Sequence, residues 1–213
     1  MIVLVLSDIH SKIGNLEKIV NLIHNKDVKI ALILGDLTNL GGKRETEEVL
    51  ELLKGFKVFA IPGNFDSPEV LETLEEKGIS LHGKKEKLGK FLFAGFGGGL
   101  VYGPGGILFS EKEIEKNLKG LLEGEKNVVL LTHLPPFETK IDLTRSGTHI
   151  GSEAVKKAVE KSQPVLHLCG HIHEAFGEEK IGITTSINIG AVKEGKALLL
   201  EIGDVLKWEK IQV

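Results

Sequence analysis

Five short apolar runs in this chain each lead into side chains that bind metal ions well: VLVL before Ser7-Asp8-Ile9-His10, LIL before Gly35-Asp36, VFAIP before Gly63-Asn64, VVLL before Thr132-His133, and VLHLC before Gly170-His171-Ile172-His173. Asp8 and His10 stand two residues apart, as do His171 and His173, so an extended backbone aims each pair to one side. Two Asp, one Asn and four His form a mixed oxygen and imidazole set that suits Mn, Fe, Zn, Ni or Co better than Ca or Mg. Seven donors exceed one tetrahedral site. They suit two ions about 3.5–4 Å apart bridged by one carboxylate, an arrangement that clamps a phosphoryl group and deprotonates a bridging water.

Donors so far apart in sequence need a scaffold that gathers them. The apolar runs at 2–6, 30–34 and 57–61 alternate with stretches of helical period, first through Leu16, Ile19, Val20 and Ile23, then over 43–54 and 67–77. Further strands are expected at 91–95, 128–132 and 165–169, with helices near 111–122 and 152–161. The class is α/β, and the carboxyl ends of such strands are where loops converge on ligands. Ser67-Pro68-Glu69 marks a helix start, with Ser67 as cap and Pro68 in the first turn. In the tail, strands at 185–189, 197–202 and 205–213 follow closely and are expected to form a meander. Two glycine-rich stretches, at 96–106 and 147–151, lack the setting of a phosphate-cradling loop and read as turns or substrate-side loops.

At 213 residues, with 41% apolar and 27% charged side chains, the chain fits one globular domain spanning 1–213. Its 27 basic and 30 acidic groups are interspersed, which gives no footprint for a nucleic-acid polymer. The opening MIVLVLSDIH is too short an apolar run for a secretory core or a membrane span, so a cytoplasmic location away from membranes is expected. The lone Cys169 lies in an apolar run and reads as core. His167 also reads as core, and His24 and His82 as surface. A homo-oligomer is compatible with this composition.

The series SDIH, GD, GNFD, TH and GHIH resembles that of the calcineurin-like metallophosphoesterases, over most of the chain. Within that superfamily, SGTHIGSEAV through LHLCGHIHEAFG to INIGA is similar to small archaeal predicted phosphoesterases. The resemblance implies a four-layer αββα sandwich of two mixed sheets flanked by helices. It implies that Asp8, His10 and His173 hold one metal, that Asn64, His133 and His171 hold the other, and that Asp36 bridges them. Two divalent transition-metal ions are then the cofactors, manganese foremost, with Ni, Co, Fe and Zn as other candidates. Gly35, Gly63 and Gly170 would let the chain turn close to the ions.

One position departs from the family pattern. Where many members have Gly-Asn-His-Asp, this chain has Gly63-Asn64-Phe65-Asp66, so the His that positions substrate or protonates the leaving group is replaced by a side chain with no proton to give. General acid catalysis is worth about 10²–10⁴-fold, so poor leaving groups should suffer. The expected activity is therefore hydrolysis of a small phosphodiester by a metal-bound hydroxide, with broad phosphomonoesterase activity or a non-catalytic metal-binding scaffold as alternatives. Asp36, Asn64 and His149 are the expected catalytic residues, His149 as the replacement proton donor. Asn64, Phe65, Arg145 and His149 are the expected substrate contacts. Asp66 is read as a cap for the following helix, and Ser11, Thr132 and Glu174 as supports for the ligands beside them.

Overall fold

The computed structural model describes residues 1–213. Alternation along the apolar strands decides its layers. In β1 (Ile2–Leu6), Val3 and Val5 enter one core while Leu4 and Leu6 enter another; β2 (Val28–Leu34) divides Leu32 and Leu34 from Ala31 and Ile33 in the same way. A strand buried on both faces reads as a continuous apolar run, which is why these segments stand out in the sequence.

With β3 (Lys57–Ile61), β12 (Lys196–Ile202) and β13 (Leu206–Gln212) they build a five-stranded mixed sheet in the order β13-β12-β1-β2-β3. The second sheet has six strands, β10 (Gly177–Ile181), β11 (Thr184–Asn188), β9 (Leu166–Cys169), β8 (Val128–Thr132), β5 (Phe91–Phe96) and β4 (Lys84–Leu88), in that spatial order, while the short β6 (Gly99–Leu100) and β7 (Leu108–Phe109) pair with each other. The sheets pack through a shared core that includes Val5, Leu32, Phe59, Phe93, Leu131, Leu168 and Leu198. Helices α1 (Ile13–Ile23), α2 (Lys43–Leu52) and α3 (Pro68–Glu76) cover the first sheet through Leu16, Ile19, Val49, Val70 and Leu74. Helices α4 (Glu111–Leu122) and α5 (Glu153–Ser162) cover the second through Ile114, Leu118, Val155 and Val159. The result is the expected αββα sandwich. No helix is long and apolar enough to cross a membrane.

The tail is not a meander. Strands β10 and β11 form a hairpin that joins the second sheet, with β11 parallel to β9. The chain then crosses to the first sheet, where β12 pairs antiparallel with β1 and turns back as β13. Ile187 and Leu198 both enter the core between the sheets, so the apolar pattern alone does not say which sheet each strand joins. Strand β4, KKEKL, carries no apolar signal before Leu88; it is an edge strand whose lysines discourage pairing with another chain.

His24 is exposed, as expected, but His82 is half-buried, stacked on Phe96 with ring centroids 4.7 Å apart and accepting a hydrogen bond from the Gly97 amide at 3.1 Å. Burial pushes its pKa down to about 4. His167 is core, between Thr132 Oγ1 at 2.8 Å and Ser186 Oγ at 3.1 Å. Cys169 is buried and its thiol is pushed well up by desolvation, which leaves it an inert packing residue.

Candidate metal centre

Strands β1, β2 and β3 run parallel in one sheet, and β8 and β9 run parallel in the other, so their carboxyl ends can share one rim of the sandwich. The loops leaving there adopt unusual backbone. Asp8, His10, Asp36 and His171 all have positive φ, at 53°, 47°, 51° and 70°. Asp and His tolerate this region better than most side chains, yet such residues cost on the order of 1–3 kcal/mol each and persist only where their surroundings over-determine them.

Here the surroundings do. The Asp8 amide donates to the Gly35 carbonyl at 3.0 Å, His10 to Asp36 at 2.9 Å and Ser11 to Leu37 at 3.0 Å, so the loop after β1 stays laced to the loop after β2. The His171 amide donates to Asp8 Oδ2 at 2.9 Å, which ties in the second sheet. Glycine is required for the close approaches. A Cβ on Gly63 would collide with Asp36, and one on Gly170 with Ser7 and Asp8, while Gly35 adopts φ 101°.

The side chains form two half-cages. In one, Asp8 Oδ1 lies 3.0 Å from His173 Nε2 and 3.8 Å from His10 Nε2, and the two imidazole nitrogens face each other at 3.4 Å. In the other, Asn64 Oδ1 lies 3.0 Å from His133 Nε2, and the His133 and His171 rings meet edge-on with centroids 5.1 Å apart. Asp36 Oδ2 stands between them, 3.4 Å from His10 Nε2 and 3.5 Å from His133 Nε2. Two donors each about 2.1 Å from a common ion lie roughly 3.0–3.4 Å apart, so most of these spacings fit metal ions, while the 3.8 Å between Asp8 and His10 is wider. Each half-cage draws on both sheets.

The electrostatics agree. Burial pushes the Asp8 carboxyl up, but its hydrogen bond with His173 and the charges of His133 and His173 outweigh that and hold it well below the usual carboxylate range. Burial would lower His133, yet Asp36 and Asp8 raise it to about 9. Burial and the neighbouring His133 charge push His171 down to about 4, and burial lowers His10 against the pull of Asp36. Entry of divalent ions would displace the His133 proton and relieve the crowding of acceptors.

The groups that orient these side chains are not Ser11, Thr132 and Glu174. Thr132 Oγ1 bonds the Leu134 carbonyl and His167, Glu174 receives the Arg145 amide, and Ser11 is exposed. Backbone groups do the orienting instead. His133 Nδ1 pairs with the Leu34 carbonyl at 2.8 Å, and Asn64 Nδ2 donates to the Pro104 carbonyl at 2.9 Å, which presents Asn64 Oδ1 to the cage. The Phe65 amide donates to Asp36 Oδ1 at 2.7 Å, which leaves Oδ2 facing His10 and His133.

Asp66 does not cap a helix. It is fully buried and accepts from the amides of Gly63, Leu37 and Thr38 and from Thr38 Oγ1, clamping the β2 and β3 loops together. Burial and the nearby Asp36 charge raise its pKa to about 6. Ser67 also bonds elsewhere, to the Gly41 carbonyl at 2.7 Å, although Pro68 does open α3 as expected.

A cleft of about 500 Å³ opens beside the cage, and Asn64, Phe65, His149 and His171 all line it. The Phe65 ring also meets the His10 ring edge-on at 5.6 Å. His149 Nδ1 bonds Asp142 Oδ1 at 2.7 Å. Asp142 is buried and accepts from the amides of Glu138, Thr139 and Gly151 and from Thr139 Oγ1. Sequence reasoning found His149 but not Asp142, which has no motif around it. Arg145 is not brought to the cleft; it is exposed, beside Glu174.

Over 166 residues, 75% of this chain and 76% of the relative, the sequence is 30% identical to the uncharacterized protein MJ1162 of Methanocaldococcus jannaschii. A dimetal phosphatase from Danio rerio superposes with a TM-score of 0.71 at 13% identity, covering 100% of this chain and 96% of the other. A novel archaeal phosphodiesterase superposes with a TM-score of 0.57 at 16% identity, covering both chains fully at 100%. The family model described as calcineurin-like phosphoesterase, whose members use a dinuclear divalent metal centre, matches residues 1–175, and that span contains every strand-end donor of the cage. The chain belongs to the calcineurin-like phosphoesterases.

Proposed function

We propose that residues 1–213 act as one catalytic unit, a cytoplasmic two-metal hydrolase whose preferred substrates are small phosphodiesters. Asp8, His10 and His173 would hold one ion, Asn64, His133 and His171 the other, and Asp36 would be shared between them, with manganese the first choice of metal. When bound, such a pair clamps phosphoryl oxygens and makes water a nucleophile near neutral pH.

The diester preference rests on one observation. Phe65 stands against His10 and on the cleft wall, where it offers no proton and no hydrogen bond to a phosphoryl oxygen. A monoester dianion needs those interactions more than a diester monoanion does. Proton transfer to the leaving oxygen falls to His149. Its Nδ1 is engaged by Asp142, which fixes the ring and leaves Nε2 as the nitrogen available to substrate. Asn64, presented by Pro104, contacts both metal and substrate oxygen.

Manganese-loaded protein is expected to cleave bis(p-nitrophenyl) phosphate with a higher kcat/KM than p-nitrophenyl phosphate. The reverse order would establish a monoesterase. Loss of all turnover with two ions still bound would establish a metal-binding scaffold.

A further inference from the structure

Nothing in the metal cage requires the cleft beside it, and the cleft is too large for a phosphoryl group alone. At about 500 Å³ it lies in the range of pockets that take drug-sized ligands. Its wall is built from Phe65, Leu100, Tyr102, Leu134, Phe137 and Ile150, and no Lys, Arg, Asp or Glu side chain contributes to it. The polar side chains that reach it, Asn64, His149 and His171, belong to the reacting end.

Two segments make the wall beside Phe65. The glycine-rich loop after β5 brings Leu100 and Tyr102, and it is pinned to the β3 loop by the Gly106 amide donating to the Asn64 carbonyl at 2.7 Å. The loop after β8 brings Leu134, Phe137 and Ile150, and it is pinned by the Ser152 amide donating to the Pro135 carbonyl at 2.9 Å. Tyr102 and Ile150 remain 86% and 41% exposed. They are large apolar groups left in water at the mouth of a reactive site, where a ligand could cover them.

We propose that this cleft is the subsite for the second ester arm of the substrate, and that the arm is uncharged and aromatic. The inference rests on the phosphodiesterase reading and adds the identity of the group that stays on the phosphorus. A charged arm, such as one carrying another phosphate, would lose its hydration against an apolar wall that offers no Lys or Arg to offset it. A methyl arm would leave the wall uncovered. An aryl arm buries apolar area against Phe65, Phe137 and Ile150, with the aromatic rings free to take edge-on or offset contacts.

The test uses arms that cannot be hydrolysed. Calorimetric titration of manganese-loaded protein with phenylphosphonate and methylphosphonate should show the phenyl compound bound about 10–50-fold more tightly, the difference expected for burying one ring. Ile150→Ala and Tyr102→Ala should each cut that ratio several-fold; both side chains are exposed enough that truncation spares the core. In turnover, phenyl p-nitrophenyl phosphate should exceed methyl p-nitrophenyl phosphate in kcat/KM, although the leaving group is the same. Equal binding of the two phosphonates, or tighter binding of phosphonoacetate than of phenylphosphonate, would overturn the aromatic subsite while leaving diester hydrolysis standing. Failure of both diesters to turn over would instead overturn the phosphodiesterase reading, and the subsite with it.

Discussion

The cage and the cleft share Asn64 and His171, yet they are built on opposite principles. Cage donors sit on short loops that leave buried strands, with Asp8, Asp36 and His133 at 1% exposure or less, positive φ at Asp8, His10, Asp36 and His171, and amides laced from one loop to the next. Cleft walls come from longer loops, carry exposed apolar side chains, and touch the cage through a few hydrogen bonds such as Asn64 Nδ2 donating to the Pro104 carbonyl. Metal chemistry tolerates little displacement, so its ligands are over-determined. Recognition of an organic arm tolerates more, so its wall can be looser and can vary without disturbing the chemistry.

The sharpest way to break this division is to remove the bridge. Asp36→Asn should reduce diester turnover by more than about 100-fold, beyond what losing an outer partner of a metal ligand usually costs, and should lower the bound metal from two ions per chain by elemental analysis. His149→Asn lies on the cleft side and should act selectively. Turnover of diesters with alkyl leaving groups should fall by about 100-fold, while p-nitrophenyl leaving groups are nearly unaffected. Equal losses on both would show that His149 only binds substrate.

Asp66 tests whether the strained loops depend on their clamp. Asp66→Asn replaces a four-fold acceptor by a group that must turn N–H bonds toward amide donors, and should cost on the order of 2–3 kcal/mol in urea unfolding. His167 probes the core beneath both regions. Burial lowers its pKa from 6.5 to about 3, so as pH falls below 6.5 the unfolded chain takes up a proton that the folded chain refuses. Stability is therefore complete above that pH and erodes as pH falls toward 3, by at most about 1.4 kcal/mol per pH unit from this group. His167→Gln should flatten that acid slope in denaturation measured at successive pH values. The smallest effect is expected at Arg145, which stands outside both regions; Arg145→Ala should change turnover by no more than about twofold.

Much of the frame was legible because burial on both faces leaves continuous apolar runs. Strands β1, β3 and β8 and helix α4 fall where periodicity places them, and the donors follow the strands as the motifs indicate. Strand β4 escaped because an edge strand needs little apolar surface, and its signal is a row of charges indistinguishable from a solvated loop. The partners of the tail strands are not legible because residues 184–202 supply the same core from both sheets, and local alternation carries no information about the partner strand.

Chemistry divides in the same way. The residue types and their places after strands determined which donors the chain offers to metal ions and the absence of a proton at Phe65, because valence and donor hardness belong to the side chain itself. Tertiary structure decided that Asp36 Oδ2 stands midway between His10 and His133, that Asp66 clamps loops and does not cap a helix, and that Asp142 holds His149 while Arg145 stands apart. Those outcomes depend on distances across the sandwich between residues up to more than a hundred positions apart, and no local pattern encodes such a distance.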